Sequence, residues 1–181
     1  GRTVGDIARE RGGEDPVDTI LFLQRNGEQR PGGGSYRAMN VPDADNKKIV
    51  AQEFTMFCTD GGSITFGQGM PHPRYYGIFP RVIRKFVFEE GVLTLADAIR
   101  KMTSLPASVM RLKDRGLLKE GYRADVTVFD PVTIRHRSTY VRPHAYSEGI
   151  RYVLVNGVFA VDGGEVTEKL GGQVLTLVKN N

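Results

Sequence analysis

Hydrophobic positions follow a helical period through much of the chain and change to a strand period towards its end. Val4, Ile7 and Ala8 share one helical face behind Thr3 and Asp6, which are spaced as a capping box, and Gly12-Gly13 ends that helix. Asp15-Pro16 then supplies an N-cap and a proline at the first helical position. Val17, Ile20, Leu21 and Gln24 carry this second amphipathic helix to Asn26-Gly27. Pro31 to Ser35 is a glycine-rich connection; no Gly-Lys-Ser/Thr follows it, so it is a linker and not a nucleotide cradle. A third helix is predicted over about Asp43 to Ala51. Phe54 to Cys58 has the length and composition of a buried strand, which breaks at once into Thr59-Asp60-Gly61-Gly62.

After a long loop, Phe79, Val82, Ile83, Phe86 and Val87 recur at helical spacing, predicting one α-helix from about Pro80 to Glu90, stopped by Gly91. Thr94 and Asp97 open another helix that packs Leu95, Ala98, Ile99 and Met102, and Pro106 starts a short continuation with Val109, Met110 and Leu112 inside. Beyond Asp114 the period becomes that of strands. Val126 to Phe129 is one, Ile150 to Val155 and Val158 to Val161 flank the hairpin signal Asn156-Gly157, and Val174 to Val178 is a further one.

Composition narrows the class. The 181 residues are 40% hydrophobic and 25% charged, as in a soluble globular protein. No apolar run approaches the ~20 residues of a membrane span and no leader opens the sequence, so neither a membrane nor secretion is expected. The net charge of +4 is spread without a basic cluster, which argues against nucleic acid as a partner. The single cysteine, Cys58, excludes an intrachain disulfide and fits a reducing, cytoplasmic compartment. Its place in a predicted strand makes it a small core residue and not a nucleophile.

The densest chemistry lies between Glu53 and Arg81. Asp60 stands where a predicted strand ends, the edge at which α/β sheets place their reactive groups, and His72-Pro73-Arg74 closes the loop that follows. Taken singly these residues have plain readings. An aspartate before Gly-Gly is ordinarily a turn residue, a loop histidine is ordinarily solvated or bonded structurally, and an arginine beside Tyr75 and Tyr76 often stacks on them.

Taken in order, Thr59-Asp60-Gly61, His72-Pro73-Arg74-Tyr75-Tyr76-Gly77-Ile78-Phe79-Pro80-Arg81 and Leu95 to Ala107 resemble the N-acyl-D-amino-acid deacylase (D-aminoacylase) family of the amidohydrolase superfamily. Gly116 to Asp130 and Tyr152 to Gly157 are similar to the segments with which many amidohydrolases build a β-sandwich. The resemblance implies an α/β fold: the C-terminal part of a (β/α)₈ barrel over residues 1–115, then β-sandwich strands over 116–181. It implies a zinc-dependent hydrolase that cleaves the amide of small N-acyl-D-amino acids. In that scheme zinc activates a water, Asp60 moves its proton and can touch a second metal, Arg74 binds the substrate α-carboxylate, and His72 shapes the substrate-binding loop. The sequence has no His-x-His, and His72, His136 and His144 lack metal-ligand spacing, so the other zinc ligands are expected elsewhere. The isolated chain is accordingly expected to be inactive and to self-associate through exposed edges. Two other readings are a non-catalytic β-rich binding or oligomerisation module derived from the family, and a cyclic amidase like dihydroorotase or hydantoinase.

Overall fold

A computed structural model of the chain describes residues 2–26 and 41–176. Pro31 to Ser35 therefore lies outside the described residues. The chain forms two compact units, Gly1–Pro42 and Asp43–Asn181.

The first unit is a helix pair. α1 (Val4–Glu10) is opened by the capping box expected from its sequence: Asp6 N–H donates to Thr3 Oγ1 and Thr3 N–H to Asp6 Oδ2, both at 3.0 Å. α2 (Pro16–Asn26) starts after Asp15, whose Oδ1 accepts from Val17 N–H at 2.8 Å. Its inner face differs from the expected one. Val17 and Leu21 are exposed, whereas Thr19 is fully buried and donates to Glu14 Oε2, and Arg11 stacks over the Phe22 ring at 3.5 Å. These polar and cation–π contacts with the turn before the helix rotate its inner side away from Val17.

In the second unit α3 (Asp43–Ala51) has the predicted bounds. The strand expected over Phe54 to Cys58 does not form. Residues 55–60 have no regular secondary structure, and among the described residues no strand pairs with them; a strand needs such a partner for its backbone groups. Phe57 is tied down through its N–H to Lys101 O at 3.2 Å and its ring against the core, and Cys58 is exposed and not buried.

The predicted helix at Pro80 begins earlier and changes pitch. α4 (Arg74–Arg81) runs into a π-helix (Val82–Glu89), in which the expected stripe still buries Val82, Ile83 and Phe86. Leu93 N–H donates to Phe86 O at 2.9 Å as the chain turns back at Gly91. α5 (Leu95–Met102) is capped by Thr94, and α6 (Ser104–Val109) follows. Val109 and Met110 are exposed, contrary to expectation: Gly116 comes so near Ala107 that a Cβ on it would lie 2.7 Å from the Ala107 methyl, making alanine the inner residue. Val50, Val82, Phe86, Leu93 and Ala98 form the core cluster. Lys101 is also fully buried, its ammonium donating to Val50 O at 2.7 Å, to Thr55 Oγ1 at 3.1 Å and to Gln52 O.

The last elements are an antiparallel meander in the order β1 (Val126–Phe129), β2 (Ile150–Val155), β3 (Val158–Asp162) and β4 (Glu165–Val166). Asn156 and Gly157, with φ of 50° and 80°, make the predicted two-residue turn. The strand expected from Val174 is absent over residues 174–176, and the rest of it lies outside the described residues.

Candidate active site

Asp60 and Arg74 are brought together by the two ends of one loop. Asp60 has φ of 45°, a left-handed conformation that aspartate tolerates better than most residues, and Gly61 N–H donates to the hydroxyl of Thr59 at 3.3 Å. The Gly-Gly step lies across Tyr75. A Cβ on Gly61 would stand 3.3 Å from Tyr75 Cα, so the small residue lets the turn carrying Asp60 lean on the first turn of α4. Arg74 opens that helix, and its Nη2 meets Asp60 Oδ2 at 2.8 Å. The carboxylate side chain is 76% exposed, whereas the arginine is only 36% exposed and its Nε is buried without a hydrogen-bond partner. A partly exposed guanidinium that already holds one carboxylate has the fork geometry that recognises planar anions.

His72 stands two residues before Arg74 at the same helix start. Its Nδ1 accepts from Arg74 N–H at 3.0 Å, capping α4, and its Nε2 lies 3.2 Å from the hydroxyl of Tyr140.

Residues 134–148, which sequence reasoning assigned no role, hold the loop and α4 from outside. Ser138 Oγ donates to Pro73 O at 2.9 Å and Ser147 Oγ to Tyr76 O at 3.0 Å. Gly77 permits the approach, since a Cβ there would fall 2.7 Å from His136 Cβ and 2.9 Å from Ser138 Oγ. Burial, then Arg81, lowers the pKa of His136 from its ordinary value. Phe66, Tyr76, His144 and Tyr146 form an aromatic cluster, with Phe66 stacked on Tyr146 at 5.0 Å between ring centres. Burial, and secondarily Tyr146, raises the pKa of the Tyr76 phenol. The only hint of this set in the sequence is that Tyr140, His144 and Tyr146 crowd a stretch without helical or strand period.

Among the described residues no three His, Cys, Asp or Glu side chains converge to hold a metal ion. Asp60 offers one carboxylate, while both ring nitrogens of His72 and of His144 are within hydrogen-bonding distance of protein groups. The described residues do not by themselves compose a zinc site.

The Amidohydrolase family model matches residues 57–161. Over 175 residues the chain is 39% identical to N-acyl-D-aspartate deacylase of Alcaligenes xylosoxydans xylosoxydans, covering 97% of this chain and 33% of that protein. It is 43% identical to N-acyl-D-glutamate deacylase of the same organism, over 87% of this chain and 30% of that one. A solved N-acyl-D-glutamate deacylase from Bordetella bronchiseptica, complexed with zinc and a phosphonate mimic of the tetrahedral intermediate, superposes with a TM-score of 0.72 at 37% identity, over 90% of this chain and 33% of its own. The chain spans about a third of the length of these relatives. The family match takes in more than half of the chain, including Asp60, Arg74 and most of the antiparallel sheet, and it makes this chain a member of the amidohydrolase family, alongside the N-acyl-D-amino-acid deacylases.

Proposed function

We propose that the protein to which this chain belongs is a zinc-dependent deacylase that hydrolyses N-acyl-D-amino acids to a carboxylate and a free D-amino acid. The observation that carries the reading is the 2.8 Å pairing of Asp60 with Arg74, an exposed carboxylate able to accept a proton beside a partly exposed guanidinium whose planar fork fits an anion. As water adds to the acyl carbon, Asp60 takes its proton and passes it to the nitrogen that departs when the C–N bond breaks. Arg74 grips the α-carboxylate of the substrate and so sets which amide faces Asp60. His72, as cap of α4, keeps the guanidinium in place.

The zinc that the solved relative carries needs ligands beyond the described residues. In the same reading residues 1–115 belong to the last part of a (β/α)₈ barrel and 116–181 to a β-sandwich; the four-stranded antiparallel sheet supports the second assignment. Among the described residues no helix is long and apolar enough to cross a membrane.

The test is hydrolysis of N-acetyl-D-amino acids and their L enantiomers by the full-length protein, before and after chelation and restoration of zinc. D-selective turnover that disappears with the metal and returns with it is expected, and no turnover in the zinc-restored protein would overturn the reading. The isolated chain should show no zinc-dependent turnover, since about three protein ligands are needed for a catalytic zinc.

A further inference from the structure

The loop between Asp60 and Arg74 turns at residues 65–69, where Gln68 N–H donates to Thr65 O at 3.1 Å and Gly67 and Gly69 take φ of 84° and 62°. His144 sits across this turn. Gly67 N–H donates to its Nδ1 at 3.1 Å, and its Nε2 lies 3.0 Å from Gly69 O. The hydroxyl of Tyr76, on the helix that starts with Arg74, is 2.9 Å from the same Nδ1. An amide N–H only donates and a carbonyl only accepts, so these partners assign the ring proton to Nε2. The two nitrogens are thereby matched to two opposite backbone groups of one turn, which an ordinary loop histidine has no reason to do. Phe66, the residue before Gly67, packs on His144 and Tyr146.

We propose that His144 is a positioning residue that holds the loop between Asp60 and Arg74 in one conformation, fixing the proton-accepting carboxylate relative to the guanidinium that binds the substrate carboxylate. The inference rests on the deacylase reading for its kinetic consequence and on the loop geometry for its structural one. His144 touches neither reacting group. It acts through Gly67 and Gly69 at the middle of the loop and through Tyr76 at the end that carries Arg74, so that the middle of the loop and the start of α4 are referred to one ring.

The experiment uses the full-length protein with His144→Ala and His144→Asn, the second of which keeps an acceptor near the Nδ1 position. Zinc content and the thermal midpoint serve as controls for folding. His144→Ala should lower kcat/KM for an N-acetyl-D-amino acid by about 10- to 100-fold, the scale on which a displaced catalytic group is felt. An N-acetyl amine lacking the carboxylate should lose less, because it does not depend on the spacing between Asp60 and Arg74. His144→Asn should recover most of the difference. Hydrogen exchange supplies a readout besides activity: in His144→Ala the amides of residues 63–70 should exchange about five- to tenfold faster, as for one lost hydrogen bond.

Unchanged exchange in His144→Ala overturns the proposal, whether or not the protein is a deacylase. Faster exchange with kcat/KM within about twofold of wild type also overturns it, since the loop would then be held without catalytic consequence. If the wild type shows no deacylase activity, the functional reading fails while exchange still decides whether His144 holds the loop. Should His144→Ala not fold, His144→Phe, which keeps a ring against Phe66 and removes both hydrogen-bonding nitrogens, carries the same two measurements, and unchanged exchange or unchanged kcat/KM in it overturns the proposal.

Discussion

Val82, Phe86 and Ala98 meet through apolar surface supplied by neighbouring helices, with Leu93 packed in from the turn between them, and the buried Lys101 satisfies polar groups nearby. The loop from Gly61 to Pro73 has no such cluster. It carries exposed Ile64, Phe66 and Met70, and its backbone is held by His144 while Tyr140 meets His72 at its end, both reaching across from a distant part of the sequence. One region is stable because burial outweighs the ordering of its chain; the other is ordered by directional contacts that fix geometry while adding little net stability. Such a division is expected where a rigid body presents a reactive loop, and it makes the two regions separable by mutation.

The largest separation should come from Asp60→Asn. Asparagine keeps the shape and much of the hydrogen bonding but cannot take a proton, so turnover by the full-length protein should fall by ~10²–10⁴. Its unfolding midpoint and substrate binding should change little, because the side chain is largely exposed and the Arg74 pair is a surface contact. Near-normal turnover would reduce Asp60 to a turn residue. Arg74→Lys comes next. The charge stays and the planar fork goes, removing a charge-assisted contact worth ~1.5–3 kcal/mol, which is about a 10- to 150-fold fall in kcat/KM. A substrate without a carboxylate should lose no more in the variant than in the wild type. Equal losses on both would mean that Arg74 only braces the loop.

The same division governs what could be read from the sequence. α1, α3, α5 and the β2–β3 hairpin were legible because their signals are local: Thr3 with Asp6, Pro42 before Asp43, Thr94 with Asp97, and Asn156-Gly157. Asp60, His72 and Arg74 were legible as a set only through family resemblance, and their sequence separation did not disclose the Asp60–Arg74 ion pair. The strand at Phe54 was misread because apolar composition does not supply a pairing partner. Lys101 and His144 were missed for one reason. A lysine on a helix reads as solvated, and its burial follows from carbonyls at the end of α3, 51 residues away. His144 reads as a loop residue until Gly69, 75 positions earlier, is placed beside it.

Lys101→Met tests the core side of the comparison. The two side chains are similar in length, but methionine has no donor, so Val50 O, Gln52 O and Thr55 Oγ1 lose their shared partner. Removing a buried charge favours the variant, and leaving an acceptor unpaired opposes it; Thr55 Oγ1 and Gln52 O still hydrogen-bond each other, so Val50 O is the acceptor left without its donor, and the second effect should win, costing ~1–3 kcal/mol in denaturant unfolding. Burial lowers the Lys101 pKa. The unfolded chain therefore holds the proton over a range where the folded one has released it, and stability rises with pH between the two values. The gap between wild type and Lys101→Met should widen as pH rises through that range. A gap that narrows would mean that the charged form is the favoured one inside the fold.

The smallest effect is expected at Thr94. Its Oγ1 accepts from Asp97 N–H at 3.1 Å and satisfies one of the free donors at the start of α5, so Thr94→Ala should cost about 1 kcal/mol of stability. Aspartate at this position offers an equivalent acceptor and places a negative charge at the positive end of the helix, and Thr94→Asp should therefore restore what alanine removes. Neither change should alter kcat/KM, because α5 packs on α6 and the π-helix and supports the Phe57 backbone through Lys101 O. If Thr94→Ala lowered turnover by as much as His144→Ala while leaving unfolding unchanged, the two regions would be coupled through residues 55–60. The rigid body would then be setting the position of Asp60 directly, and the loop contacts would be secondary to it.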